Sequence, residues 1–347
     1  MLTKYKSILF LSVVLSLCSC EPIRDSYTDC GVWLEFVFEH NMEFEDRFDP
    51  HVKTVDVYVF NDAGRYVTTR HAAVSELDGR KRMFLEGVPF GNYKVLTVGN
   101  LAAPFSFAMG TNPLVAGVTT MEEVLLSLDT AQASREFDHL FFGPAVDVTF
   151  KADLSTWKVP LIRTTNRFHI RFFYYEPTAE GTRADVDPIH TVAIVAPESG
   201  AYDRTHSPVN HTLLTYSPYL LQSTLEYNER NDAMERATFA KINTMRLLRG
   251  LEGYRLSVRD ITTNREVWHR DLLSMIAGSE VRPIRPDGTS LPMDEYLDRE
   301  GDWYIDIRYE FRVQQPDPDS DTGESFVALM IRVNNWIIWD TGVNIGN

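Results

Sequence analysis

The chain has 347 residues and a formal net charge of −15, from 49 Asp and Glu against 34 Lys and Arg. A nucleic-acid binder needs a basic face to displace counterions from phosphates, so this charge argues against that class of protein. Three cysteines exclude a disulfide scaffold and a four-thiolate zinc site. Hydrophobic residues make up 44% of the chain, which indicates a folded globular protein, and the length predicts about two domains.

The N-terminus has the pattern of a bacterial export signal. Met1–Lys6 is basic, and residues 7–17 are apolar but too few to span ~30 Å of hydrocarbon. The sequence LCSC at 17–20 resembles the lipobox of bacterial lipoproteins. That resemblance predicts a signal peptide over residues 1–19, lipid on Cys20 (palmitate or a similar acyl chain) and a lipidated tether over residues 20–31. The alternative is an ordinary signal peptide in which Cys20 is incidental.

Alternation of apolar and polar residues predicts an N-terminal β-sandwich over residues 32–156. In Val32–Phe38 the even-numbered side chains are apolar, and this period of two is typical of a half-buried strand. The turn at Asn61–Gly64 predicts a hairpin with Arg65–Thr69. Thr119–Leu128 predicts a helix, because a Thr N-cap is followed by acids in the first turn. The other predicted strands are Val55–Phe60, Met83–Leu85, Tyr93–Val98 and Val146–Phe150.

A C-terminal β-sandwich is predicted over residues 157–347. Arg167–Tyr174 alternates basic with apolar residues, and Asp271–Ala277 predicts a short helix. The other predicted strands are Val159–Ile162, Val192–Val195, Ala237–Leu247, Tyr254–Val258, Glu266–His269, Trp303–Val313 and Phe326–Val333. Many short strands with turn signals between them favour an all-β fold of two antiparallel Greek-key sandwiches with a few short helices. No Gly/Ser linker separates the halves, so we expect them to be docked.

Motifs for catalysis are missing from the sequence. The tetrapeptide His269–Leu272 copies the start of a kinase catalytic loop, but Ile276 stands where that loop needs an asparagine. No catalytic residue, cofactor or small-molecule substrate is therefore predicted, and we expect a protein that is not an enzyme. A lipid-anchored hydrolase is the alternative, since folding could bring two of the 49 acids together.

No metal site is predicted either. Asp317, Asp319 and Asp321 alternate as in a calcium loop, but the glycine and glutamate that an EF-hand requires are not at their positions. His206 and His211 lie close in sequence, yet no third zinc ligand accompanies them.

Four tyrosines lie in the Pro-, Ser- and Asn-rich region 198–230: Tyr202, Tyr216, Tyr219 and Tyr227. Aromatic side chains on loops can bind sugars or partner proteins. A surface glycan-binding lipoprotein that uses Tyr216 and Tyr219 is therefore the alternative function. The interpretation we favour is that these tyrosines pack the loop onto the second sandwich.

Several segments, taken in order, resemble one known family. After the lipobox come VWLEFVF at 32–38, VDVYVFNDAGRYV at 55–67, GNYKVLTVGNL at 91–101, KVPLIRTTNRFHIRFFY at 158–174 and IRVNNW at 331–336. This order resembles the fimbrial anchor lipoproteins of Bacteroidetes, the FimB-like family, over nearly the whole chain.

The resemblance carries expectations about fold, location and function. It implies two transthyretin-like β-sandwiches that a lipid anchor holds on the surface of the outer membrane. It also implies a structural role in cell adhesion: the protein would fix a fimbrium, or pilus, to the cell and limit its length. The partners would be the fimbrial shaft subunit and the outer membrane. Of the family's functional residues, only the lipid-bearing cysteine maps onto this sequence, at Cys20.

The C-terminal segment is the candidate contact with the shaft. The resemblance implies that subunits join when a strand of one chain enters an open groove in the next. Val32–Phe38 follows the lipidated cysteine so closely that removing it would detach the protein, so an anchor must keep this strand in its own groove. We therefore predict a donor or edge strand at the other end, with the partner-binding residues Trp336, Ile338, Trp339, Val343 and Ile345. The alternative is that this segment is the last core strand of the second sandwich.

Overall fold

β-Strands form most of the protein. The computed structural model describes residues 31–101, 107–110, 113–174, 187–197, 200–209, 212–228, 233–278, 283–312, 325–334 and 336–338. These residues form two β-sandwiches, one after the other along the chain, which confirms the predicted all-β fold class.

The first sandwich packs two sheets around one core. Its strands are β1 (Gly31–Val37), β2 (Thr54–Asn61), β3 (Tyr66–Ala73), β4 (Arg82–Leu85), β5 (Gly91–Gly99), β6 (Phe107–Met109), β7 (Leu126–Leu128), β8 (Phe141–Phe142), β9 (Val146–Phe150), β10 (Leu154–Pro160) and β11 (Ile162–Arg163). One sheet has the order β10-β1-β4, and the other has the order β11-β8-β5-β2-β3 with β9 also on β5. The even-numbered apolar side chains of β1 point into the core, as the alternation predicts. A short helix, α1 (Phe48–His51), buries Phe48 in the same core.

The second sandwich also packs two sheets. Its strands are β12 (Thr165–Tyr174), β13 (His190–Ala196), β14 (Ala201–Tyr202), β15 (Leu214–Tyr216), β16 (Leu220–Asn228), β17 (Ala233–Met245), β18 (Arg255–Asp260), β19 (Glu266–Asp271), β20 (Asp302–Arg312), β21 (Ser325–Val333) and β22 (Trp336–Ile338). The large sheet has the order β16-β17-β12-β20-β21-β22, and the small one has the order β15-β13-β18-β19. Two helices, α2 (Leu272–Ala277) and α3 (Met293–Arg299), lie between β19 and β20.

Each sandwich contains a parallel strand pair. β1 runs parallel to β10, and β12 runs parallel to β20. A short hairpin joins only antiparallel neighbours, whereas strands that are distant in sequence can pair in either direction. The predicted antiparallel arrangement therefore holds for the hairpins but not for these two pairs.

The two halves are docked. β14 of the second half pairs with β7 of the first, and with β6 they form a small shared sheet. Buried residues of both halves also belong to one hydrophobic cluster, in which Leu126 and Tyr202 are fully buried. β10 runs across the predicted boundary between residues 156 and 157 and pairs with β1 along its length, so the strands of the first half extend to Arg163.

The predicted helix at Thr119–Leu128 is wrong beyond its first turn. The backbone N–H of Thr120 donates to Glu123 Oε2 at 2.7 Å, and a single 3₁₀ turn follows at Met121–Glu123. The chain then enters β7, because Leu126 and Leu128 both turn into the core while the backbone pairs with β6 and β14. Tertiary pairing thus overrides the local preference for helix.

Candidate functional site

The first strand fills the groove of its own sheet. β1 lies between β10 and β4, with Gly31–Val37 in register with Leu154–Pro160 on one side and Val32–Glu35 paired with Arg82–Leu85 on the other. Its inward side chains Val32, Leu34 and Phe36 are fully buried. Both edges of β1 are therefore occupied, and no strand from another chain can take its place unless β1 leaves.

The last described strand, β22, lies at the margin of the large sheet of the second sandwich. β22 pairs antiparallel with β21, with Trp336 opposite Val333 and Ile338 opposite Ile331. No other strand of the described part of the chain pairs with its outer side. Trp336 is half-buried, whereas Ile337 is 43% exposed. Among the predicted partner-binding residues, Trp336 and Ile338 thus belong to an edge strand.

The remaining predicted site residues lie outside the described residues: Cys20, Trp339, Val343 and Ile345.

A tight turn at Asn334 sets the position of β22. Asn334 has a φ of 52°, a left-handed conformation that asparagine tolerates better than most residues. Its backbone N–H donates to the Tyr304 carbonyl at 2.7 Å, and its Oδ1 accepts from the Tyr304 N–H at 2.8 Å. Its Nδ2 donates to the Tyr296 hydroxyl of α3 at 3.3 Å. The paired asparagines in IRVNNW are a turn signal, and sequence analysis gave Asn334 no role.

Ion pairs order the outer face of the large sheet. Nε and Nη2 of Arg171 donate to the two carboxylate oxygens of Asp306, each at 2.7 Å, and Nη1 donates to Glu226 at 2.7 Å. The hydrogen bond to Asp306 raises the pKa of Arg171. Arg332 lies 3.7 Å from the same aspartate. The four residues come from β12, β20, β16 and β21, so this network braces the sheet that carries β22.

A buried polar cluster joins the two sandwiches. Nη2 of Arg163, on β11, donates to the Arg299 carbonyl of α3 at 2.5 Å. His139 Nε2 of the first half lies 3.5 Å from Asp302 Oδ2 of β20. Burial opposes ionisation of Asp302, but the imidazole of His139 and the charge of Arg163 outweigh it and lower the pKa of that carboxyl to about 2. These contacts fix how the second sandwich, with its edge strand, lies against the first.

The structure contradicts a glycan site at Tyr216. Tyr202 and Tyr216 are 0% exposed, and the hydroxyl of Tyr216 accepts a hydrogen bond from the Met245 N–H at 3.4 Å. Both tyrosines lie on short strands, which turn the rings into the core. Tyr219 is half-buried just before β16, and Tyr227 on β16 is 55% exposed.

The described part of the chain contains neither a cluster of metal ligands nor a membrane-spanning helix. His206 is buried and stacks on Phe142 with ring centroids 4.6 Å apart. His211 and the acids at 317, 319 and 321 lie outside the described residues. Within the described ranges, no three or more His, Cys, Asp or Glu side chains come together as a metal site would need. No helix in those ranges has the length and apolar character to cross a bilayer.

Comparisons with solved structures give the fold relatives of the chain. A candidate adhesin from Bacteroides ovatus is 36% identical, with a TM-score of 0.74 over 94% of this chain and 100% of its own. A candidate polysaccharide-binding protein from Bacteroides thetaiotaomicron is 23% identical, with a TM-score of 0.68 over 90% of this chain and 99% of its own. The fimbrial anchor protein Mfa2 from Porphyromonas gingivalis, 18% identical, has a TM-score of 0.61 over 89% of this chain and 98% of its own. At this identity the last two matches show the fold alone.

The sequence comparison identifies the family. No curated protein matches the chain at a significant level. The model of one family, the fimbrillin-A associated anchor proteins Mfa1 and Mfa2, matches residues 26–342, which is most of the chain. This match confirms the resemblance seen in the order of the sequence segments. The chain belongs to the family of fimbrillin-A associated anchor proteins Mfa1 and Mfa2.

Proposed function

We propose that this protein is an outer-membrane lipoprotein that holds a fimbrium on the cell surface and has no catalytic activity. Membership of the family makes it a fimbrial protein of the cell envelope. The proposal adds three specific elements: lipid on Cys20, a place on the outer membrane, and contact with the shaft subunit through the edge formed by β22.

The position of β1 is the observation that carries the proposal. β1 begins at Gly31, eleven positions after Cys20, and is paired on both sides. If Cys20 bears the lipid, β1 cannot be cut away without releasing the protein from the membrane. An anchor with β1 in place offers no open groove at this position to a strand from another subunit, so fibre growth ends there and the length of the fibre is limited.

The contact with the shaft must then come from another part of the molecule. β22 is a short edge strand, and its outer side has no strand partner in the described part of the chain. The backbone N–H and C=O groups of such an edge form a ladder with an added strand, and pockets between side chains give specificity. The half-buried Trp336 and the exposed Ile337 supply apolar surface beside that ladder.

Truncation after Asn335 tests the contact. The truncation removes residues 336–347. The shortened protein should stay folded, because the strand lost with them, β22, adds only three residues at the margin of a six-stranded sheet. Fimbriae should then appear in the medium instead of on the cells. Loss of folding would support the alternative of a core strand, and normal attachment of fimbriae would reject the proposed contact.

A further inference from the structure

We propose that the outer face of the large sheet binds an acidic polysaccharide, through a row of side chains formed by Lys241, His169 and Tyr304. This site is separate from the strand edge at β22, and it does not depend on the lipid or on the shaft contact. The ligand class is a sugar chain that carries carboxylates, such as a polyuronate.

The strand register builds the row. His169 on β12 is opposite Lys241 on β17 and opposite Tyr304 on β20, so the three side chains stand next to one another on the same face. The rings of His169 and Tyr304 stack with centroids 4.5 Å apart and an angle of 10° between their planes. Tyr304 is 54% exposed, although it is a large aromatic side chain. Neighbouring strands lie about 4.8 Å apart, so the row is long enough for two sugar rings.

Unpaired positive charge distinguishes this end of the face. Further along the same strands, Arg171 and Arg332 contact Asp306, as described above. Lys241 and Arg167, in contrast, form no ion pair with any described residue. The acid nearest to His169 in an ion pair is Asp302, at 4.0 Å, and that carboxylate also faces His139 and Arg163. Arg167 stands opposite Asp302 in the strand register, so Lys241 is the cation of the row that has no ion-pair partner among the described residues, in a protein whose overall charge is −15.

Two polar atoms at the same place lack partners. Nε of Arg167 and the hydroxyl of Tyr219 are shielded from water, yet neither forms a hydrogen bond within the described part of the chain. Tyr219 belongs to this end of the sheet, since its backbone N–H donates to the Lys241 carbonyl at 2.9 Å. Buried polar atoms are nearly always paired, so these two groups keep unused hydrogen-bonding capacity beside the row.

The chemistry of the row favours an acidic sugar over other polymers. The C–H face of a pyranose ring packs against the negative face of an aromatic ring, which Tyr304 offers. Carboxylates spaced along the sugar chain pair with Lys241 and Arg167. A neutral polysaccharide would leave both cations unused. Nucleic acid carries a much denser charge, and the acidic remainder of this protein would repel it.

Binding of polygalacturonate to the purified full-length protein tests the proposal. The native protein should bind polygalacturonate at least about tenfold more tightly than dextran, a neutral polysaccharide. Tyr304→Ala should weaken binding roughly tenfold, whereas Tyr304→Phe, which keeps the ring, should bind like the native protein. Lys241→Gln should weaken binding and reduce its dependence on salt.

Matched variants separate the site from general effects. Tyr227→Ala removes an equally exposed tyrosine, and Lys94→Gln removes a lysine of the first sandwich; both should leave binding unchanged. Poly-glutamate serves as an acidic polymer without sugar rings and should bind more weakly than polygalacturonate. If the native protein fails to bind polygalacturonate, the proposal is wrong. If poly-glutamate binds equally well, and neither Tyr304→Ala nor Lys241→Gln has an effect, the proposal is also wrong and the binding is a general effect of surface charge.

Discussion

The guanidinium of Arg163 packs directly on the backbone of Gly301, where a Cβ atom would lie 2.0 Å from Cζ. The two residues belong to different sandwiches: Arg163 ends the first, and Gly301 immediately precedes β20 of the second. Arg163 is buried and donates to the Arg299 carbonyl, so its side chain has little freedom to move away. Glycine at 301 is therefore what allows the halves to approach so closely.

Replacing Gly301 with alanine should destabilise the protein. The new methyl group displaces the Arg163 guanidinium, which costs a buried hydrogen bond and strains the junction, so we expect a loss of roughly 1–3 kcal/mol in the free energy of unfolding. Gly79→Ala is the control, because no atom lies within 4 Å of a Cβ at that position. Chemical denaturation measures both variants, and equal stability of the two would contradict the role assigned to Gly301.

Replacing Cys20 with alanine should release the protein from the membrane. Without the thiol there is no attachment point for diacylglycerol, and the acidic chain has no charge attraction for anionic lipid. Labelling cells with a palmitate analogue and fractionating them measures the effect. Cys30→Ala is the matched control and should keep both label and membrane location. A Cys20→Ala protein that still carries label would refute lipidation at this residue.

Replacing Ile337 with lysine should detach fimbriae without unfolding the protein. A charged side chain on an edge strand disfavours pairing with another strand, and lysine is the residue that natural edges use for this purpose. Because Ile337 is partly exposed, the change in stability should stay within about 1 kcal/mol. Ile261→Lys is the control, since that isoleucine is 46% exposed and lies in a turn after β18. Counting shed and cell-bound fimbriae compares the two variants; equal retention would argue against the edge as the contact.

Acidification should destabilise the protein through His206. Burial, helped by the charge of Arg246, lowers the pKa of this histidine from 6.5 to about 4. Between these values the unfolded chain binds a proton that the folded chain does not, so stability falls as pH is lowered from about 6.5 towards 4. Between pH 7 and pH 5 this one group contributes about 2 kcal/mol.

The variant His206→Asn should make this pH dependence shallower. Asparagine tolerates the φ of 64° at this position and does not titrate in the range. His269→Asn, at an exposed histidine, is the matched control for the substitution itself. Unfolding curves at pH 7 and pH 5 provide the comparison. A native protein that is as stable at pH 5 as at pH 7 would disprove the prediction.

Much of the fold was predictable from alternation. Val32, Leu34 and Phe36 repeat at a period of two, and their side chains all enter the core because strand geometry sends alternate residues to one face. β16 was missed, since Leu220–Asn228 at the margin of its sheet mixes polar and apolar residues without a clear period. Pairing with β17, which lies outside any sequence window, makes it a strand.

The candidate site was predictable only in part. The apolar character of Trp336 and Ile338 indicated a strand at this end of the chain, and both lie in β22. The contacts that position it came from residues far apart in sequence, as between Asn334 and Tyr304. Sequence patterns do not record such distant contacts. The burial of Tyr216, in contrast, agrees with the favoured interpretation that the tyrosines of this region pack onto the second sandwich.

The geometry of β1 also has a mechanical consequence. If the lipid on Cys20 holds one end of the molecule and a fimbrium pulls on the other, tension enters the first sandwich along the axis of β1. The hydrogen bonds to β10 and β4 run across that axis, so the seven register positions shared with β10 and the four shared with β4 are loaded together in shear. A strand pulled in this way cannot open one bond at a time, as a hairpin does when its ends are drawn apart. With the lipid and the fibre attached in this way, the pairing of β1 would resist drag on the fibre.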